Sequence, residues 1–161
     1  MSRASSIGLL TLAFLVGSSL QAAADNAYLI VKFGGDPGAP LAHAYDYGVP
    51  EGESPTYRLR IPVIDVDLKK IFHDTVLTVA SADQIVQTVS AARAYRSRGS
   101  CEAARDVVLA KLAEGLPNEY APADGEWQRQ SADGKVIAAA VCAQRRHYPM
   151  PILRLTIALH P

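Results

Sequence analysis

One of the two cysteines in this 161-residue chain lies in the first turn of its clearest helical pattern, and this placement constrains the fold most. Ser100 is a suitable N-cap, because its hydroxyl can accept a hydrogen bond from an unpaired backbone N–H of the first turn. Gly115 can adopt the left-handed conformation that ends a helix, and Pro117 prevents continuation. The pattern predicts a helix from Ser100 to Glu114. Its core-facing apolar stripe consists of Cys101, Ala104, Val108, Leu109 and Leu112.

The N-terminal segment has the composition of a secretion signal. Arg3 supplies the positive charge, an apolar run extends from Ile7 to Leu20, and Ala22 to Ala24 provides small residues for cleavage. The apolar run is shorter than the roughly 20 residues that a membrane-spanning helix needs. We therefore predict a signal peptide over residues 1–24 and one globular domain over residues 25–161. The mature domain should be soluble, periplasmic or secreted, and not membrane-spanning after signal cleavage.

Export places the cysteine pair in an oxidising compartment, where an even number of cysteines usually forms disulfides. We predict a bridge between Cys101 and Cys142 that ties the helix to a late strand. A loop of this length gives a bridge worth roughly 4 kcal/mol in the chain-entropy model.

Several runs rich in β-branched and aromatic residues, some strictly alternating, predict an antiparallel sheet. The expected fold class is α+β, with a small sheet of about four to six strands covered on one face by the Ser100–Glu114 helix. Asp67 to Phe72 is expected to form one helical turn. The predicted strands are Ala27–Phe33, Tyr57–Val63, Thr75–Ala80, Gln84–Tyr95, Val136–Ala143 and Leu153–Leu159, and Glu126–Gln130 is a further candidate.

Two of these strands have a helical alternative. Ser81 to Gln84 can also be a capping box that opens a helix, but the β propensity of the residues up to Tyr95 favours a returning strand. The alanine-rich run from Val136 to Ala143 can also be helical. The preceding Asp133-Gly134 turn favours a hairpin, so we predict a strand buried on both faces.

Charge excludes one class of partner. Acidic and basic side chains number 16 each, and no basic block or stripe occurs, so we do not expect nucleic acid to bind.

No metal or cofactor site is predicted. The four histidines lack the close paired spacing that is common among zinc ligands, and His43 with Asp46, or His73 with Asp74, supplies at most half a site. Asp65 and Asp67 could begin a calcium loop, but the required glycine and glutamate positions hold other residues. A nucleophile elbow and a Cys-x-x-Cys motif are also missing from the sequence.

An aromatic loop is the remaining candidate binding site. Tyr45 and Tyr47 lie beside His43 and Asp46, and Trp127 lies near a predicted strand end. Aromatic faces beside polar groups suit sugar rings or peptides. The sequence therefore indicates a non-enzymatic periplasmic binding or accessory protein, whose partner is an envelope protein, a peptide or a glycan. The alternative is a small envelope hydrolase or enzyme inhibitor that uses His43 and Asp46.

Overall fold

The computed structural model describes residues 28–29, 32–41, 55–121, 128–144, 146 and 148–160. Within these ranges the chain forms an α+β fold with one antiparallel sheet of seven strands, as the sequence predicted in class. The strands are β1 (Thr56–Pro62), β2 (Asp74–Ala80), β3 (Val86–Ala94), β4 (Asn118–Glu119), β5 (Arg129–Gln130), β6 (Val136–Ala143) and β7 (Ile152–Leu159). The helices with defined bounds are α1 (Val66–Ile71) and α2 (Arg98–Gly115).

The sheet consists of two meanders joined through the last strand. Its order is β1-β2-β3-β7-β6-β5-β4, and every neighbouring pair is antiparallel. Helix α2 connects the first meander to the second and packs on β6 and β7. Strand β1 lies at one edge of the sheet, a position that tolerates Pro62, which has no N–H to donate.

The core lies between the sheet and α2, because β1, β2 and β7 direct alternate apolar side chains to that side. In β1 the buried and exposed residues alternate along the whole strand, and in β7 Leu153, Leu155 and Ile157 are buried. From α2, Val108 and Leu112 enter the same core with no exposed surface. Strand β6 is buried on both faces over Val136–Ala140, as predicted for its small residues.

The disulfide fixes α2 on the sheet. The sulfurs of Cys101 and Cys142 are 2.05 Å apart, and their Cα atoms are 6.0 Å apart. Cys101 lies in the first part of α2 with no exposed surface, and Cys142 lies near the end of β6. The predicted bridge and the inward orientation of Cys101 are both confirmed.

The ends of α2 differ from the prediction. Ser97 is the N-cap, and its Oγ accepts a hydrogen bond from the backbone N–H of Ser100 at 3.2 Å. Because the N-cap is Ser97 and not Ser100, the helix begins earlier than predicted and includes Arg98 and Gly99. Gly115 is the last helical residue and not a left-handed stop, since Leu116 forms the C-cap with φ −122°.

The predicted strand Ala27–Phe33 is wrong where the structure describes it. Tyr28, Leu29, Lys32 and Phe33 are helical. Leu29 and Phe33 are buried in the core four residues apart, which is the spacing of one helix face. Packing on the core has therefore overridden the β propensity of this apolar run.

The two strands with a helical alternative are both strands, namely β3 and β6. Of the predicted strand Glu126–Gln130, the structure describes Gln128 to Gln130, and Arg129–Gln130 form β5. Asn118–Glu119, for which no strand was predicted, pairs with it as β4. Neither of the helices α1 and α2, nor any other helix in the described ranges, has the length and apolarity needed to cross a bilayer.

Candidate functional site

The aromatic loop predicted from the sequence lies outside the described residues. This holds for His43, Tyr45, Asp46, Tyr47 and Trp127. Their role in binding, and the alternative of a hydrolase or inhibitor that uses His43 and Asp46, stay predictions. The described residues form a different concave site.

This site is a cleft where β2 and β3 separate. The two strands are paired up to Val76 and Ser90. Beyond that point β3 continues along β7 to Ala94, whereas the chain on the other side turns away toward α1. A cleft of about 470 Å³ opens between them. It is lined by Arg60, Ile71, Phe72, His73, Asp74, Val76, Ala91, Ala92 and Arg93.

Arg60 and Asp74 form an exposed ion pair in the cleft wall. Arg60 Nη1 lies 3.3 Å from Asp74 Oδ2, and the arginine side chain is 75% exposed. Exposed pairs of this kind contribute about 0–1 kcal/mol, since solvent screens them. A ligand carboxylate can therefore compete with Asp74 for the guanidinium at little cost.

Arg93 is held more firmly. Its Nη1 donates hydrogen bonds to the backbone carbonyls of Lys70 and Ile71, the latter at 2.9 Å. These carbonyls lie at the C-terminal end of α1, where a cation is favoured by the helix dipole. The guanidinium also lies 5.5 Å from the ring centroid of Tyr95. Burial raises the pKa of the Tyr95 phenol, and the charge of Arg93 opposes this rise.

The rest of the lining combines an imidazole with an apolar floor. His73 is exposed, and its backbone carbonyl accepts from the N–H of Val63 at 3.1 Å. Phe72 and Ile71 are buried and form part of the floor with the alanines of β3. The polar side chains of the described lining are two guanidinium groups, one imidazole and one carboxylate, all of which can recognise a charged or polar ligand.

The arrangement suits a ligand with a carboxylate and a short apolar part. Guanidinium groups bind carboxylates through paired, charge-assisted hydrogen bonds. Arg60 and Arg93 both line the cleft, together with one carboxylate, that of Asp74. The strand register places the two arginine side chains on opposite faces of the sheet, so each one meets a different part of a ligand. The floor can accept the aliphatic part of the same ligand.

The sequence pattern did not identify this site. Arg60 lies at an exposed position of the alternating strand β1, and this alternation alone gives no sign of a cleft beside it. His73 and Asp74 were considered only as metal ligands. Arg93 gave no local signal, because its partners in α1 lie 22 and 23 residues earlier in the chain.

The acidic residues that were weighed as calcium ligands have a structural role. Asp65 is the N-cap of α1 and accepts from the backbone N–H groups of Asp67 and Leu68, each at 3.0 Å. It also pairs with Lys32 Nζ at 2.7 Å. Burial opposes the charge of Asp65, but the hydrogen bonds from Lys32, Leu68 and Asp67 outweigh it and lower the pKa of this carboxyl.

In the part of the chain that the structure describes, no three His, Cys, Asp or Glu side chains are grouped closely enough to hold a metal ion. Of the histidines in that part, His160 contacts the hydroxyl of Tyr120 at 3.0 Å through Nε2, and His73 lines the cleft.

Comparison with known proteins gives no match, whether to family models, to curated proteins or to solved structures.

Proposed function

We propose that this chain is an exported, non-enzymatic binding domain, and that the cleft between β2 and β3 holds a carboxylate-bearing part of its ligand. The ligand is an envelope protein, a peptide or a glycan. The single observation that carries this proposal is a cleft whose lining includes two arginines, Arg60 and Arg93, together with apolar residues.

Two features support export. The N-terminal segment has the charge, apolar run and small residues of a secretion signal. The bridge between Cys101 and Cys142 is of a kind that persists in oxidising compartments and is rare in the cytosol. Together they favour the periplasm or the extracellular medium over the cytoplasm.

The two arginines have different tasks in this proposal. Arg93 is oriented by the α1 carbonyls, so little side-chain freedom is lost when a ligand binds. Arg60 is exposed and can leave Asp74 to meet the ligand. Exchange of Asp74 for a ligand carboxylate sacrifices little, because the exposed pair contributes only about 0–1 kcal/mol.

Calorimetric titration of the mature, oxidised domain tests the proposal. The probes are an acetylated hexapeptide with glutamate at alternate positions, the same peptide with lysine, and an oligogalacturonate as an acidic glycan. We expect one acidic probe to bind, the lysine peptide not to bind, and Arg60→Ala to weaken binding by about tenfold, which corresponds to about 1.4 kcal/mol.

Arg98→Ala is the matched control. Arg98 is another exposed arginine with one carboxylate partner, Glu102 at 2.8 Å, but it lies at the start of α2. Its replacement should leave the affinity unchanged. Equal loss in both variants, equal binding of the glutamate and lysine peptides, or no binding of either acidic probe would contradict the proposal.

A further inference from the structure

Among the described residues, no partner is found for the outward-facing backbone groups of Arg58 and Arg60 in β1. The N–H of Val63 donates to His73, and the N–H of Ser81 donates to Pro55, so these two pairs are hydrogen-bonded across β1 and β2. In an antiparallel pair, hydrogen-bonded positions recur at every second residue. This alternation determines which of the residues between the two pairs direct their backbone groups toward β2.

Between Pro55 and Val63, every second residue is hydrogen-bonded to β2. These residues are Tyr57, Leu59 and Ile61, whose side chains face the core. Arg58 and Arg60 therefore direct their N–H and C=O groups away from β2. No strand among the described residues pairs with β1 on that side, because β1 is the last strand of the sheet. Pro62 has no N–H and ends this open edge.

We propose that this edge binds an extended acidic peptide segment of the partner as an additional strand. The proposal rests on the binding function proposed above and specifies its ligand as a peptide. The backbone groups of Arg58 and Arg60 supply two donors and two acceptors for it. Addition of a strand to an open sheet edge is a general mode of peptide recognition, with affinity from the backbone and specificity from alternate side chains.

Charge selects the peptide. The side chains of Arg58 and Arg60 both lie on the outer face of the sheet, where they are exposed. A peptide residue opposite either arginine has its own side chain on that face, so glutamate at alternate positions faces the two guanidinium groups. The edge ends beside the cleft, because Arg60 belongs to both.

The same charges disfavour a second copy of this chain. Pairing of β1 with β1 of another copy brings arginines opposite arginines, and like charges directly opposite are destabilising. Charged side chains on an edge strand are a common means of preventing self-association. An acidic strand therefore fits where a second copy does not.

Amide hydrogen exchange measured by NMR tests the proposal directly. In the free mature domain the amides of Arg58 and Arg60 should exchange fast, whereas that of Leu59, which faces β2, should exchange slowly. Saturation with the glutamate hexapeptide should slow exchange at Arg58 and Arg60 by about tenfold or more, with no change at Leu59.

Two variants at Arg58 separate the contribution of its backbone N–H to peptide binding from that of its side chain. Arg58→Ala removes the guanidinium and keeps the N–H, whereas Arg58→Pro removes both. Since this N–H does not face β2, the ladder between β1 and β2 stays intact. We expect Arg58→Pro to bind the glutamate peptide about tenfold more weakly than Arg58→Ala. The peptide N-methylated at the amides that face β1 gives the same comparison in the unmodified domain, should Arg58→Pro fail to fold.

Failure of the strand-addition proposal can be distinguished from failure of the cleft proposal. Peptide binding without protection at Arg58 and Arg60 would overturn strand addition and leave the cleft proposal standing. Binding of the oligogalacturonate alone would do the same. Protection of both amides in the free domain would show that the edge is already occupied, by this chain or, if sedimentation detects a dimer, by a second copy. Absence of binding by every acidic probe would contradict both proposals.

Discussion

Gly115 and Tyr28 are in contact at a point where a Cβ atom does not fit. A Cβ on Gly115 would overlap Cδ1 of Tyr28 and lie 2.9 Å from Cε1. The ring is held in place by its hydroxyl, which donates to the backbone carbonyl of Lys111 at 2.6 Å or to Glu114 Oε2 at 2.9 Å. This contact explains why α2 has a glycine in its last turn, although no left-handed conformation is needed there.

Gly115→Ala should therefore destabilise the protein, although alanine is normally the better helix former by about 1 kcal/mol. Displacement of the Tyr28 ring should lower the free energy of unfolding by about 1–3 kcal/mol, as in other overpacked sites. Gly99→Ala is the control, because a Cβ there meets nothing within 4 Å and should be neutral or stabilising. Urea unfolding of both variants checks this. Equal effects at the two glycines would contradict it.

Asp36 should make stability depend on pH. The residue is 2% exposed, and Oδ1 has no hydrogen-bond partner in the described structure. Burial, and to a lesser extent the charge of Asp133, raises its pKa from 3.8 to about 6. Because the folded state holds this proton more tightly than the unfolded state, the stabilising contribution is complete below about pH 4 and is lost as pH rises through about 6.

Asp36→Asn removes the buried charge that forms above this range. Relative to the unmodified protein, the variant should gain up to about 2–3 kcal/mol in free energy of unfolding between pH 4 and pH 8, since one pKa unit corresponds to 1.36 kcal/mol. Urea unfolding across this range measures the difference. Asp106→Asn, which removes an exposed carboxylate on α2, is the control and should show no such gain. A difference between Asp36→Asn and the unmodified protein that does not vary with pH would contradict the burial of an ionisable Asp36.

The disulfide should account for a large part of the stability. It closes a loop with a sequence separation of 41, so replacing Cys101 and Cys142 together with alanine should lower the free energy of unfolding by about 4 kcal/mol. The check is urea unfolding of the double variant beside the unmodified protein under reductant, and the two should agree within about 1 kcal/mol. An unchanged stability in the variant would show that the bridge does not constrain the unfolded chain.

The strands could be predicted where the alternation of side chains matched burial. In β1 and β7 the apolar residues at every second position are the ones that face the core. The helix α2 could be predicted for the same reason, since the stripe from Cys101 to Leu112 covers one face. These elements depend on local patterns, which the sequence displays directly.

Predictions failed where a distant contact decides the outcome. Residues 28–33 resemble a strand in composition, but Leu29 and Phe33 enter the core on one helix face. Gly115 resembles a helix stop, but the ring of Tyr28 determines its role. The cleft was missed because it depends on the separation of β2 from β3 and on the contact of Arg93 with the end of α1. Neither feature has a local sequence signal.

The most direct test of the binding site is a two-dimensional NMR titration of the oxidised mature domain with the glutamate hexapeptide. We expect chemical-shift changes at the residues around the cleft, in Ile71–Val76 and Ala91–Arg93, and at Arg58 and Arg60 on the adjoining strand. Changes confined to the exposed side of α2, or none at saturating peptide, would contradict the assignment of this cleft as the binding site.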